Sequence, residues 1–266
     1  MTRLPIRALL AGLMLVSTGL AAQPCGPHTA ALYAYARFYY EDPERGPSGI
    51  DKDMFDELAH RSGCQLRLVV ESRVRIWDQM RRGVVQLTLS ALLTPERRAI
   101  AEMVPYAQGR FHVLMRRELA ARVPSIAAFE ADPQLRLLDV RGYAHGPTVD
   151  AWVLRMRNQG RLVEAGDFTT AVRMLRAGRA DALLSMPSGW HIAMAAFDHP
   201  EDLVPVDITP TERNPVALAM AHAMPEADRT RLRRALQSML ADGTVHEILR
   251  RHLGDKGARA AAYTGD

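Results

Sequence analysis

The chain has little lysine, only two cysteines and almost no long apolar sequence. Lysine occurs only at Lys52 and Lys256 among 266 residues, so arginine carries nearly all the positive charge. The formal net charge is just +4, with Arg3 and Arg7 in the first few residues. No basic stripe interleaved with aromatic or glycine-rich elements follows, which excludes a nucleic-acid footprint. Beyond the N-terminal stretch no apolar run approaches the ~20 residues that cross a bilayer. The sequence also lacks GxSxG, HExxH and P-loop signatures. GYAHGP has too few glycines for a dinucleotide fingerprint. The nine histidines are scattered, and two cysteines this far apart do not make a zinc site by spacing. Pairs such as Asp53/Asp56 and Asp56/Glu57 read as solvated helix faces. The expectation is a non-enzyme without cofactor or metal.

What is present starts with MTRLPIRALLAGLMLVSTGLAAQP. Two arginines, a short apolar run from Ala8 to Val16 and small residues up to Ala21-Ala22 give the three-part layout of a secretory signal peptide, residues 1–22. Pro24 directly before Cys25 argues against a lipid-attachment site. Export implies an oxidising compartment. Cys25 precedes an expected strand over Ala31 to Tyr35, and Cys64 precedes another over Gln65 to Val70. If these are parallel neighbours, the cysteines share one sheet edge and can bond; the alternative is two free thiols.

Apolar residues make up 48% of the chain, enough for a substantial core. Strand-like and helix-like segments alternate, which predicts an α/β fold with parallel pairing. GIDKDMFDELAHRSG is helical by the spacing of Ile50, Met54, Phe55 and Leu58 and is closed by Gly63. QLRLVV and VVQLTLS read as strands with the RIWDQMRRG helix between them. A second block runs from LRLLDV through the helices VDAWVLRMRNQG, TTAVRMLRAG and PSGWHIAMAAF, with strands RLVEAG, ADALLSM and LVPVDI. FHVLMRR and PVALAMA are where the chain is expected to cross between blocks. The end, PEADRTRLRRALQSMLADGTVHEILRRHLG, predicts two helices split at Asp242-Gly243. A small polar tail, 255–266, is expected to fray.

One stretch, LLTPERRAIAEMVPYA, carries the clearest chemical signal. Thr94 is placed to cap a helix starting at Pro95, whose apolar continuation Pro105 would stop. Arg97 and Arg98 sit near the positive end of that helix, which costs ~0.3–1 kcal/mol. A guanidinium beside unpaired helix N–H groups makes an anion site. The alternative is a solvated pair bonded to Glu96 and Glu102.

The order of GIDKDMFDELAHRSG, a short helix ending at Gly83, TPER and VPY, followed by GRADALLSM and MLADGTVHEILRRHLG, resembles the amino-acid-type periplasmic solute-binding proteins, extracellular solute-binding family 3. The resemblance spans essentially the whole chain after the signal peptide. It implies a type II periplasmic-binding fold: two α/β lobes, each a mainly parallel sheet flanked by helices, joined by two hinge strands. Lobe 1 would comprise 23–112 with 215–254, and lobe 2 113–214. It further implies a monomer that delivers a small solute to an inner-membrane ABC permease. The arginine of TPER, which grips the ligand carboxylate in that family, matches Arg97; Arg98 faces solvent. Backbone partners fall at Ser90 and Leu92, an aromatic surface at Tyr35, the turn before a second-lobe helix at Thr148, and a second-lobe contact at Met186.

Departures from the family pattern set the expected ligand. The segment between Gly83 and Thr94 is one residue shorter than usual. Arg73 stands where an aromatic often walls the cleft. The aspartate that commonly holds an α-ammonium after the ADAxL strand is absent, because that strand reads Asp181 to Met186 with no carboxylate at the place. Arg97 with Arg73 and no such aspartate balances the cleft for an anion: an organic acid, an acidic amino acid or another small anionic solute. Tyr39, His145 and Trp190 are weaker candidates for the cleft. The main alternative is a dehydratase-like enzyme acting on a cyclic carboxylate, with Glu41, Glu71 or His145 as acid or base. A ligand-sensing input for a receptor is a third.

Overall fold

The computed structural model describes residues 24–263 and 265. The expected signal peptide lies outside them. Among these residues no helix is long and apolar enough to cross a membrane.

The first strand, β1, covers Cys25–Leu32 and starts earlier than the expected Ala31–Tyr35. Its neighbour in the sheet is Cys64–Val70, and Cys25 pairs in register with Cys64. That register brings the two Cα atoms to 4.5 Å, and the sulfurs form a disulfide. Between these strands a small hairpin, β2 (Tyr40–Asp42) with β3 (Gly46–Ser48), leads into α1, Ile50–Ser62, whose buried face is Ile50, Met54, Phe55 and Leu58. Gly63 ends α1 in the left-handed region that favours glycine, φ 68°, and its N–H closes onto Ala59. The Cys64–Val70 strand is β4; α2 (Arg73–Arg81) and β5 (Leu87–Leu92) follow.

Every residue of β5 is buried, as its place requires: the first sheet runs β4-β1-β5-β12-β6, with β5 in the middle. Thr94 caps α3, Pro95–Arg98, accepting from the Arg97 N–H. The helix stops after one turn, and the apolar continuation is a strand, β6, Ala101–Gly109. Pro105 therefore sits inside a strand instead of ending a helix. Its missing N–H is tolerated because β6 is an edge strand and the pairing with β12 shifts register beside it.

The chain enters the second sheet with β7, His112–Arg116, and passes two short helices, α4 (Arg117–Ala120) and α5 (Ile126–Ala131). There follow β8 (Leu137–Val140), α6 (Pro147–Asn158), β9 (Leu162–Ala165), α7 (Phe168–Arg176), β10 (Ala182–Ser185), α8 (Pro187–Ala195) and β11 (Leu203–Val206). The second sheet is ordered β11-β7-β10-β8-β9. In α7, Phe168, Ala171, Val172 and Leu175 make one buried face, while Asp167 caps the start by accepting the Thr170 N–H. Trp152 of α6 is fully buried, edge-on to Phe129. Parallel pairing holds for β4-β1-β5 and for β10-β8-β9; β6, β7, β11 and β12 pair antiparallel.

The return strand β12, Asn214–Ala221, lies between β5 and β6. Neither FHVLMRR nor PVALAMA itself crosses: β7 belongs wholly to the second sheet and β12 to the first, and the crossings are the steps from Gly109 to His112 and from Val206 to Asn214. Two helices, α9 (Glu226–Ala241) and α10 (Thr244–Ala261), close the chain. Through Ala262 the tail is not frayed as expected. After a break at Gly254 (φ 70°, ψ 173°) the helix continues to Ala261, with Ala258 buried, and Ala262 bridges to Ala107 of β6.

Candidate functional site

Between the two sheets lies a cavity lined by Tyr33, Tyr35, Arg73, Ser90, Leu92 and Arg97 from one side and by Tyr143 and Met186 from the other. The placement follows from topology. Tyr33 and Tyr35 follow β1, Arg73 follows β4, and Ser90 and Leu92 end β5; Tyr143 follows β8 and Met186 follows β10. All are at carboxyl ends of parallel strands, where side chains from neighbouring crossovers converge.

Arg97 is buried. Its Nη1 donates to the Leu92 carbonyl (3.0 Å) and its Nη2 crosses to the Gly142 carbonyl (3.2 Å), with the guanidinium 4.5 Å from the Trp77 ring centre. Arg73 is buried as well. It donates to Thr88 Oγ1 and to the carbonyls of Leu89 and Ser90, and stacks 3.9 Å over Tyr33. All these partners are neutral, so neither guanidinium is neutralised. Burial, and next the charge of Arg73, pushes Arg97 down to about 9, so it stays a cation at neutral pH. Arg98, in contrast, is exposed.

Ser90 is held at φ 50°, a strained value for a non-glycine residue. Its N–H donates to the Tyr106 hydroxyl (3.1 Å) and its Oγ to Asp51 Oδ1 (2.6 Å). Asp51 Oδ2 has no partner. Burial pushes the Asp51 carboxyl up to about 7, with Ser90 and Arg73 pulling the other way. Desolvation likewise raises Tyr33, Tyr35 and Tyr143, which remain protonated donors.

Aromatic rings bring the two sides together. Tyr35 meets Tyr143 at 5.5 Å and Phe168 at 4.7 Å, and its hydroxyl accepts the Met186 N–H (3.0 Å). The lobes meet so closely that the cavity holds about 20 Å³, room for one or two waters at ~10–15 Å³ each. A larger solute therefore needs the lobes to part.

Of the residues singled out in the sequence, Arg97, Arg73, Tyr35, Ser90, Leu92 and Met186 line this cavity. Thr148 does not: it is exposed in the first turn of α6, which Pro147 opens. Tyr39 is bonded to Glu41, outside the cavity, and Glu71 is tied to Gln79 and Arg75. Trp190 packs edge-on against His112. His145 is fully buried between Asp139 and Asp150, at 2.9 Å from each. Burial opposes its charge, but the two carboxylates prevail and push it up to about 9. It holds a loop rather than facing the cavity. Sequence reasoning missed Tyr33, Tyr143 and Asp51. Tyr33 and Tyr35 are two apart in ALYAY, a readable signal; nothing local marks Asp51 as different from Asp53. Among the described residues one grouping has metal-ligand proximity, Cys25, His28 and Asp228, and its sulfur is committed to the disulfide.

The sequence model of the bacterial extracellular solute-binding proteins, family 3, matches residues 29–255. No curated protein matches the chain. Similar solved structures include a putative L-cystine ABC transporter protein from Listeria monocytogenes, 16% identical, covering 89% of this chain and 99% of that one at TM-score 0.72. An ancestral amino acid-binding protein, a precursor of cyclohexadienyl dehydratase, is 19% identical over 85% of this chain and 93% of its own (TM-score 0.69). A histidine kinase sensor domain is 14% identical over 87% and 96% (TM-score 0.71). At such identities these structures share the fold.

Proposed function

The chain belongs to the bacterial extracellular solute-binding proteins, family 3, and we propose that it captures a small anionic, carboxylate-bearing solute between its lobes. The observation that carries this reading is the pair of buried guanidiniums, Arg73 and Arg97, bonded only to neutral groups and close enough that Arg73 depresses Arg97. Two like charges in a desolvated wall repel, and a carboxylate between them relieves both. Three protonated tyrosines supply further donors and an apolar stacking surface. On this reading lobe 1 comprises residues 23–112 with 215–254, and lobe 2 residues 113–214. The protein acts as a periplasmic monomer, and lobe closure presents the loaded form to an ABC permease.

Binding is favoured over dehydration because Glu41, Glu71 and His145 are all held by other partners outside the cavity. Asp51 reaches the cavity only through the Ser90 hydroxyl. Genes for a permease and an ATPase beside this one would accord with uptake, and a lone receptor gene with sensing.

Thermal-shift and calorimetric titration against organic acids, acidic amino acids, and neutral and cationic amino acids test the ligand class. An acid is expected to bind, and Arg97→Ala to weaken it at least tenfold, since charge-assisted bonds contribute ~1.5–3 kcal/mol each. Tight binding of a neutral or cationic amino acid with none of the acids, or an unchanged shift in the variant, overturns the reading.

A further inference from the structure

A second, larger pocket lies behind the crossing strands. It holds about 410 Å³, within the range of small-molecule sites, ~300–1,000 Å³. Phe38, Met186 and Val216 line both this pocket and the interlobe cavity, forming a shared wall. Its floor is apolar, with Tyr106, Leu249 and Leu253. Its polar groups come from both sides of the crossing: Arg110, His112, Arg213 and, at the start of α8, Ser188, with Arg259 added from α10.

These polar groups are incompletely used. His112 is more than nine-tenths buried; its ring meets the Arg110 main chain, and its Nδ1 makes no well-formed hydrogen bond. Its Nε2 lies 3.9 Å from Asp207, which is committed to Arg110 at 2.8 Å. Ser188 is equally buried, and its Oγ, beside the Tyr35 hydroxyl, makes no well-formed hydrogen bond. Arg213, at the exposed rim, donates from Nη1 to the main-chain carbonyls of Pro210 and Glu212, both at 3.0 Å. Among the described residues no aspartate or glutamate lines the pocket. Buried polar atoms without partners are rare in native structures and mark unfilled bonding capacity.

From these observations we infer that the pocket behind the crossing strands is a second ligand site, for a small amphipathic anion: a carboxylate carrying an aromatic or aliphatic body. The apolar floor takes the body; Arg213 and His112 meet the carboxylate. Because its walls come from both lobes, its shape changes as they part and close. An occupant that fits one arrangement shifts the equilibrium toward it, and binding in the interlobe cavity alters affinity here by the same factor.

Fluorine NMR titration with 4-fluorophenylacetate, beside 4-fluorobenzyl alcohol and 4-fluorobenzylamine, tests the site on the mature protein. The acid is expected to bind, with Arg213→Gln and His112→Phe each weakening it at least tenfold. Arg73→Gln, which removes an interlobe-cavity charge whose bonds all stay within its own lobe, is expected to change it less than twofold. That contrast separates the two sites, and thermal melts confirm that each variant is folded. Absence of acid binding to 10 mM, equal binding of the alcohol, or loss in Arg73→Gln with none in Arg213→Gln overturns the inference.

Discussion

At the scale of single residues, Asp51 is the sharpest case of a group whose charge state its surroundings decide. It is the second residue of α1, fully enclosed, with one oxygen held by Ser90 and the other unpaired. A carboxyl raised to about 7 on folding binds more protons in the native chain than in the unfolded one across the interval above pH 4. Its stabilising contribution is full below the unfolded value near 4 and is lost as pH climbs through 7. Asp51→Asn removes that loss. The variant is therefore expected to match the parent near pH 4 and to gain stability steadily up to pH 8, by at most about 4 kcal/mol at 1.36 kcal/mol per unit. Melting curves across this range check it, and a difference that stays flat with pH rejects the assignment. On the proposed anion reading, the same substitution is expected to flatten the pH dependence of binding, because an ionised Asp51 next to Ser90 opposes an incoming carboxylate.

At the scale of elements, β1 and β4 are joined at one end by the disulfide and feed the cavity at the other. Cys25 is at the start of β1, and Tyr33 directly follows its end. The link closes a loop with sequence separation 39. The chain-entropy relation gives about 4 kcal/mol for such a loop. The Cys25→Ser/Cys64→Ser protein is expected to lose stability of that order in denaturant unfolding, while its solute affinity stays within twofold. A comparable loss of affinity would show that the far end of β1 is not held by its own packing.

How much of this the sequence discloses differs by element. Helices such as α1 and α7 are legible because a 3.6-residue apolar face and a cap or glycine stop agree. TPER is legible for the same reason: Thr94, Pro95 and Arg97 are local. Two things are not. AIAEMVPYA has no alternation that sets a strand apart from a helix; pairing with β12, far away in sequence, decides it. Nor does spacing separate Asp51 from Asp53, because burial under β5 and Tyr106 is tertiary. Thr148 is exposed in the first turn of α6 and does not line the cavity, and Pro147 before it has no N–H to offer an anion there.

At the scale of the whole molecule, function rests on two bodies meeting at a few close contacts. One lies outside the cavity. Gly142, in the loop after β8, sits at φ 82°, and a Cβ there would come within 2.8 Å of Val74 Cγ2 and 2.9 Å of the Val74 backbone nitrogen at the start of α2. Backbone at that distance cannot yield as a flexible side chain can. The Gly142 carbonyl is also the acceptor through which Arg97 crosses between lobes. Gly142→Ala therefore wedges the closed arrangement while removing no cavity side chain. The left-handed backbone adds ~1 kcal/mol of local strain, a modest drop in melting temperature. The larger expected effect is on binding: at least tenfold weaker solute affinity, and loss of the ligand-induced decrease in radius of gyration by small-angle X-ray scattering. If affinity and compaction both survive, closure does not pass through this contact.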